Sequence, residues 1–145
     1  MLTWVSARYW SRFSTIFATS WCARRRGSTT SVGGLIKHLR WAEYGWFAQV
    51  LDQQTGDNLR LHERAWEFEF LPDETLDTLI GEYRQQCHVS QKIAQGHPLE
   101  YLVPHTRFGQ VSLRWIYVHM IEETARHAGH LDILREQIDG TTGFA

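Results

Sequence analysis

Two side chains able to ligate a metal, Glu123 and His127, stand four residues apart in HMIEETARHAGHLDILREQIDG, near the end of the chain. On an α-helix this spacing puts a carboxylate and an imidazole one turn apart on one face, where they converge on a single point. A third candidate ligand, His38, lies far upstream in GGLIKHLRWAEYGWF. Supplied by a second helix, it would complete a His/Glu/His set around a divalent ion and leave one coordination position for water or substrate. Catalytic zinc sites are built in this way, whereas structural ones are closed by four protein ligands. The same donors would hold Ni²⁺, Fe²⁺ or Mn²⁺. An ion in such a site lowers the pKa of a bound water or thiol, or polarises a carbonyl.

Helical geometry selects these three from the eight histidines of the chain. At about 100° per residue, the apolar stripe of the last helix runs through Leu113, Ile116, Met120, Thr124, Leu131, Leu134 and Ile138. His127 falls inside that stripe, Glu123 borders it, Glu122 faces solvent, and His119 and His130 lie farther out. A charged carboxylate beside a core imidazole is costly unless paired, and a divalent cation pairs with both. His38 flanks the stripe of its own helix and shares a face with Ala42 and Gly45, whose small side chains leave room for an ion and its ligand.

The ordinary reading competes at each position. A single histidine on an apolar face is more often a satisfied core residue than a ligand, and a Glu–His pair at i,i+4 supports a helix without any metal. The coincidence of three such residues on the inward edges of two long helices favours the ion. Glu43 reads as a partly buried structural carboxylate, with a supporting role toward His127 as the alternative. Tyr83 reads as core packing, Arg84 and Arg126 as solvated charges, and Cys87 as a small core hydrophobe rather than a nucleophile.

The elements that must position these groups are helices. Leu2, Val5, Tyr9, Phe13 and Ile16 keep helical spacing, and Arg24 to Gly27 with the following Ser/Thr run reads as a loop. Ser31 is an N-cap for a second helix over about 32–52, with Leu35, Leu39, Ala42, Trp46 and Val50 on one stripe. Residues 57–72 form a long crossover loop, the alternating piece at 66–70 being a possible two-stranded excursion. Pro72-Asp73-Glu74 opens a third helix, buried through Leu76, Leu79, Ile80, Tyr83, Cys87 and Ile93 and stopped at Gly96-His97-Pro98. A loop containing Pro104 leads to a fourth helix over about 112–138, closed by Gly140. The predicted fold is all-α, a four-helix bundle with long crossover connections.

Composition narrows the function classes. The 145 residues are 43% hydrophobic with seven Trp and a formal net charge of −1, which suits one packed domain and gives no electrostatic footprint for nucleic acid. No stretch approaches the roughly 20 apolar residues of a membrane helix. Cys22 and Cys87 make neither a metal-type spacing nor a disulfide framework, which fits a reducing cytoplasm. Charge is uneven: all 16 acidic residues lie at or beyond Glu43, and seven of the 15 basic ones precede it. Residues 1–27 therefore form an atypical N-terminal segment, read as a first helix with an unusual surface or a misassigned start, with a transit peptide as the remaining alternative. Residues 28–145 form the metal-binding bundle domain.

SVGGLIKHLRWAEYGWF and VSLRWIYVHMIEETARHAGHLDILREQIDGTTG together resemble the DinB-like superfamily, in its branch of small proteins near mycothiol-dependent maleylpyruvate isomerase. The resemblance spans roughly residues 28–143 and is most specific at these two blocks, with Tyr83 to Ser90 and Leu99-Glu100 fitting between them. It implies a four-helix bundle binding zinc or nickel through a His of the second helix and a Glu-x-x-x-His of the fourth, which here are His38, Glu123 and His127. It also implies a low-molecular-weight thiol as cosubstrate, a small-molecule electrophile as its acceptor, and a homodimer as a common assembly. Two functions follow from different classes. The first is a metal-dependent S-transferase or isomerase in which the thiol takes the open position, ionises and attacks the electrophile. The second is a non-catalytic metal-binding stress or regulatory bundle.

Overall fold

Ser31 begins the first helix of the computed structural model, which describes residues 31–55, 68, 71, 73–140 and 142. Its backbone is extended, and its hydroxyl accepts the Gly34 N–H at 3.1 Å, satisfying one of the donors a helix start leaves unpaired. Helix α1 spans Val32–Glu43 and continues as a π-helical segment, Tyr44–Leu51. The predicted second helix thus keeps its extent but not its uniform winding. Phe47 O accepts from the Asp52 N–H five residues on, at 3.0 Å. That wider turn turns Trp46, Phe47 and Leu51 inward together, all three buried.

Helix α2 spans Leu76–Gln95 and starts later than Pro72 would suggest. Thr75 and Thr78 satisfy each other's backbone N–H groups in a reciprocal cap, a stronger start signal than the acidic residues before it. Its buried face runs through Leu79, Ile80, Tyr83, Ser90 and Ala94, whereas Leu76, Cys87 and Ile93 are half-buried.

The predicted loop around Pro104 is instead an antiparallel hairpin, β1 (Leu102–His105) and β2 (Gly109–Ser112). Val103 pairs with Val111, and both are buried. Gly109 has φ +75°, the left-handed residue that closes a three-residue hairpin loop. His105 Nδ1 accepts the N–H groups of Arg107 and Phe108 at 3.1 and 3.3 Å, which fixes the turn. Pro104 is exposed on a strand of a two-stranded sheet, where its missing N–H is tolerated. Four-residue strands carry too short an alternation to stand out in the sequence.

Helix α3, Leu113–Asp139, grows directly out of β2, with Ser112 as its cap accepting the Trp115 N–H at 3.1 Å. It ends at Gly140 (φ +73°), whose N–H bonds Glu136 O, as the sequence suggested. Among the described residues the chain is mostly helical, with three helices and one small sheet. The predicted first helix, and most of the 57–72 crossover, lie outside the described residues. No helix among the described residues is long and apolar enough to cross a membrane.

Two buried clusters form the interior. One gathers Trp46, Phe47, Leu51, Val103, Val111, Ile116 and Met120 at the hairpin end. The other gathers Leu35, Ile36, Leu39, Leu79, Ile80, Tyr83 and Leu131 at the opposite end. His38, Glu123 and His127 lie where the two clusters meet along α1 and α3.

Candidate metal centre

Helices α1 and α3 cross so that the three side chains selected from the sequence face one point. Glu123 Oε2 lies 3.4 Å from His127 Nε2 and 3.8 Å from His38 Nε2, and the three donor atoms all lie within 4.8 Å of one another. Ligands about 2.1 Å from a tetrahedral ion stand about 3.4 Å apart. The arrangement therefore fits a divalent cation with only small adjustment. The two imidazoles meet edge to face, ring centres 4.7 Å apart, so their nitrogens converge rather than stack.

Charge and protonation suit the same role. Burial pushes the Glu123 carboxyl up, but Arg126, His127 and His119 outweigh it, and the group is held below its ordinary value. Arg126 Nη1 donates to Glu123 Oε1, which leaves Oε2 to face the imidazoles. Burial pushes the His127 imidazolium down, helped by His38 and His130 and opposed by Glu123, so the ring is neutral at neutral pH. His127 Nδ1 lies 3.4 Å from His130 Nδ1, so its far side has a partner when Nε2 serves as the donor. Arg126, expected to be merely solvated, is exposed but orients a carboxylate; the sequence signal was its i,i+3 spacing from Glu123.

One wall comes from Phe68, which precedes α2. The Phe68 ring stacks on His38, 4.5 Å between centres and 18° between planes, and lies 6.5 Å from the His127 ring. A Cβ on Gly34 would sit 2.1 Å from the Phe68 carbonyl oxygen, so Phe68 reaches His38 only because residue 34 has no side chain. Lys37, 3% exposed, pairs with Glu74 at 2.7 Å, and Glu74 also accepts the Leu71 N–H at 2.8 Å. Neither Gly34 nor Phe68 was identifiable from spacing, because the contact joins residues far apart in the chain.

Behind the site, Glu43 accepts from Ser90, while Tyr83 hydrogen-bonds Cys87 and Thr124. Burial raises the Glu43 carboxyl to about 7 despite the Ser90 hydroxyl. Burial and the neighbouring Glu43 push the Cys87 thiol up to about 12, which keeps it a neutral core group, as its register suggested.

No curated protein and no solved structure matches the chain. The family model of mycothiol-S-transferase matches residues 18–140, a stretch that contains all three converging side chains. The chain belongs to this DinB-like family, the mycothiol-S-transferases.

Proposed function

We propose that this protein is a metal-dependent transferase that joins the sulfur of mycothiol to a small electrophile, with His38, Glu123 and His127 holding one divalent ion, zinc first among the candidates. The observation that carries the reading is the meeting of three donors from two helices at separations close to those of a tetrahedral ligand set. Three protein ligands leave a fourth position for the thiol.

When bound, the ion supplies Lewis-acid chemistry, lowering the pKa of a coordinated thiol so that its sulfur is nucleophilic at neutral pH. The chain's own residues prepare that cradle. Arg126 fixes one oxygen of Glu123, and the carboxylate stays charged. Burial holds the His127 imidazolium below its ordinary value, which favours the neutral ring a metal needs, and His130 meets that ring from behind. Phe68 covers the face of His38. In net terms, an S–H bond and a carbon–leaving-group bond are lost and a C–S bond is gained, with the proton and the leaving group departing.

Elemental analysis of untagged protein tests the ligand set. About one divalent ion per chain is expected, and His127→Ala should abolish it; full occupancy in that variant sinks the assignment. Incubating the metal-loaded protein with mycothiol, bacillithiol or glutathione and a panel of electrophiles tests the activity. Turnover with mycothiol is expected, whereas no turnover with any pairing and no thiol-induced change in the Co²⁺ spectrum argues against a transferase.

A further inference from the structure

Gly34, Lys37 and His38 share one face of α1, within about 100° of arc on a helix that turns about 100° per residue. His38 belongs to the candidate metal centre. Lys37, its immediate neighbour, is only 3% exposed. A lysine is almost never buried so deeply unless its charge is paired. Here the ammonium lies 2.7 Å from Glu74 Oε1.

Glu74 is itself fixed from two further directions. Its Oε2 accepts the Leu71 N–H at 2.8 Å, and its own N–H donates to Leu71 O at 3.1 Å, so residues 71 and 74 close a turn on each other. Directly after it, Thr75 and Thr78 cap α2 reciprocally. The carboxylate therefore stands at a well-tied helix start. One of its oxygens holds Lys37, and the other holds the backbone at Leu71. Phe68 lies three residues before Leu71, with its carbonyl oxygen against Gly34 and its ring stacked on His38 at 4.5 Å and 18°.

We infer that Lys37 is a positioning residue for the metal centre: through its ion pair with Glu74 it holds Phe68 on His38, and the stack fixes the direction of that imidazole. A buried ion pair is a poor source of stability, because desolvating two charges offsets most of their attraction. An ammonium and a carboxylate at 2.7 Å do, however, admit few arrangements of the segments that carry them, whereas an apolar contact admits many. With one face covered by Phe68, the His38 ring meets His127 edge to face at 4.7 Å and keeps Nε2 3.8 Å from Glu123 Oε2. A ring held this way needs little reorganisation when an ion arrives, and outer contacts of this kind change affinity by about 10–100-fold. The inference rests on the metal reading for its purpose, but the positioning itself can be measured without an ion.

The imidazole proton resonances of His38, assigned by their loss in His38→Gln, report the stack in the metal-free protein, because the Phe68 ring current shields them. Phe68→Leu should move them downfield, and Lys37→Met should reproduce most of that movement. Lys37→Met/Glu74→Gln removes both charges yet keeps an acceptor for the Leu71 N–H. It should recover the urea midpoint lost in Lys37→Met while its His38 resonances stay displaced, an outcome that a merely structural pair would not give. Should Lys37→Met alone fail to fold, the double variant carries the same test. Competition with a chelator should show ion binding weakened about tenfold by Lys37→Met in the parent, and by less than about twofold in Phe68→Leu, where the contact it acts through is already gone. A parent that takes up no ion removes the metal reading and leaves the resonance test standing. Parent-like His38 resonances in either folded Lys37 variant, or equal losses of affinity in both backgrounds, overturn the proposal.

Discussion

Glu43 is a carboxyl that folding makes harder to ionise: burial lifts it from 4.5 to about 7, and the Ser90 hydroxyl only partly offsets this. Between those values the folded chain keeps a proton that the unfolded chain has released, so stability falls as pH rises through the window, by about 3 kcal/mol in total. In the metal-free protein, Glu43→Gln should flatten this slope, matching the parent near pH 4.5 and exceeding it by about 2–3 kcal/mol above pH 7. Urea denaturation at pH 5 and pH 8 measures the difference, and parallel pH profiles for the two proteins contradict it. At this scale the sequence was informative wherever a side chain's role depended on its own helix. The convergence of His38, Glu123 and His127 could be anticipated by register because each needs only to face inward. The Ser90 partner of Glu43 and the Phe68 cover on His38 come from other segments, and no periodicity reports such meetings.

Phe68 meets α1 at Gly34, a position that tolerates no side chain. Gly34→Ala would set a methyl 2.1 Å from the Phe68 carbonyl oxygen, so Phe68 must shift and leave its stack on His38. A loss of about 1–3 kcal/mol in stability is expected from the overpacking alone. Metal affinity should fall about tenfold, in line with the cost of disturbing groups that orient a ligand. Competition with a chelator gives the affinity, and unchanged binding would show that Phe68 does not position His38. Elements were legible to different depths. The cap at Ser31, the stop at Gly140 and the inward faces of all three helices follow from local rules of capping and amphipathic spacing. Ile138, placed on the buried stripe of the last helix, was the exception and is exposed. The hairpin escaped notice because Pro104 reads as a loop signal, and only Gly109, in its left-handed conformation, marks the turn.

Across the whole molecule, the candidate metal site lies between two hydrophobic clusters along α1 and α3, and a bound ion would tie the two helices together there. An ion bound only by the folded state, at about a thousandfold excess over its Kd, adds about 4 kcal/mol. For a chain of this size that corresponds to a rise of about 10 °C in Tm. Thermal denaturation with and without chelator should show this shift in the parent and none in His127→Ala. A parent Tm indifferent to chelator would remove the ion from the account of stability. The helical character and the pairing of two distant motifs were legible in the chain as a whole, whereas the change of winding after Glu43 was not, since α and π turns share the same apolar residues. That change of winding has a consequence for how such a protein diversifies. A π-helical stretch absorbs an added residue inside a continuous helix. It therefore insulates the half that carries His38 from the half that carries Trp46. Substitutions around Trp46 can accumulate while the placement of His38 against Glu123 and His127 is inherited unaltered.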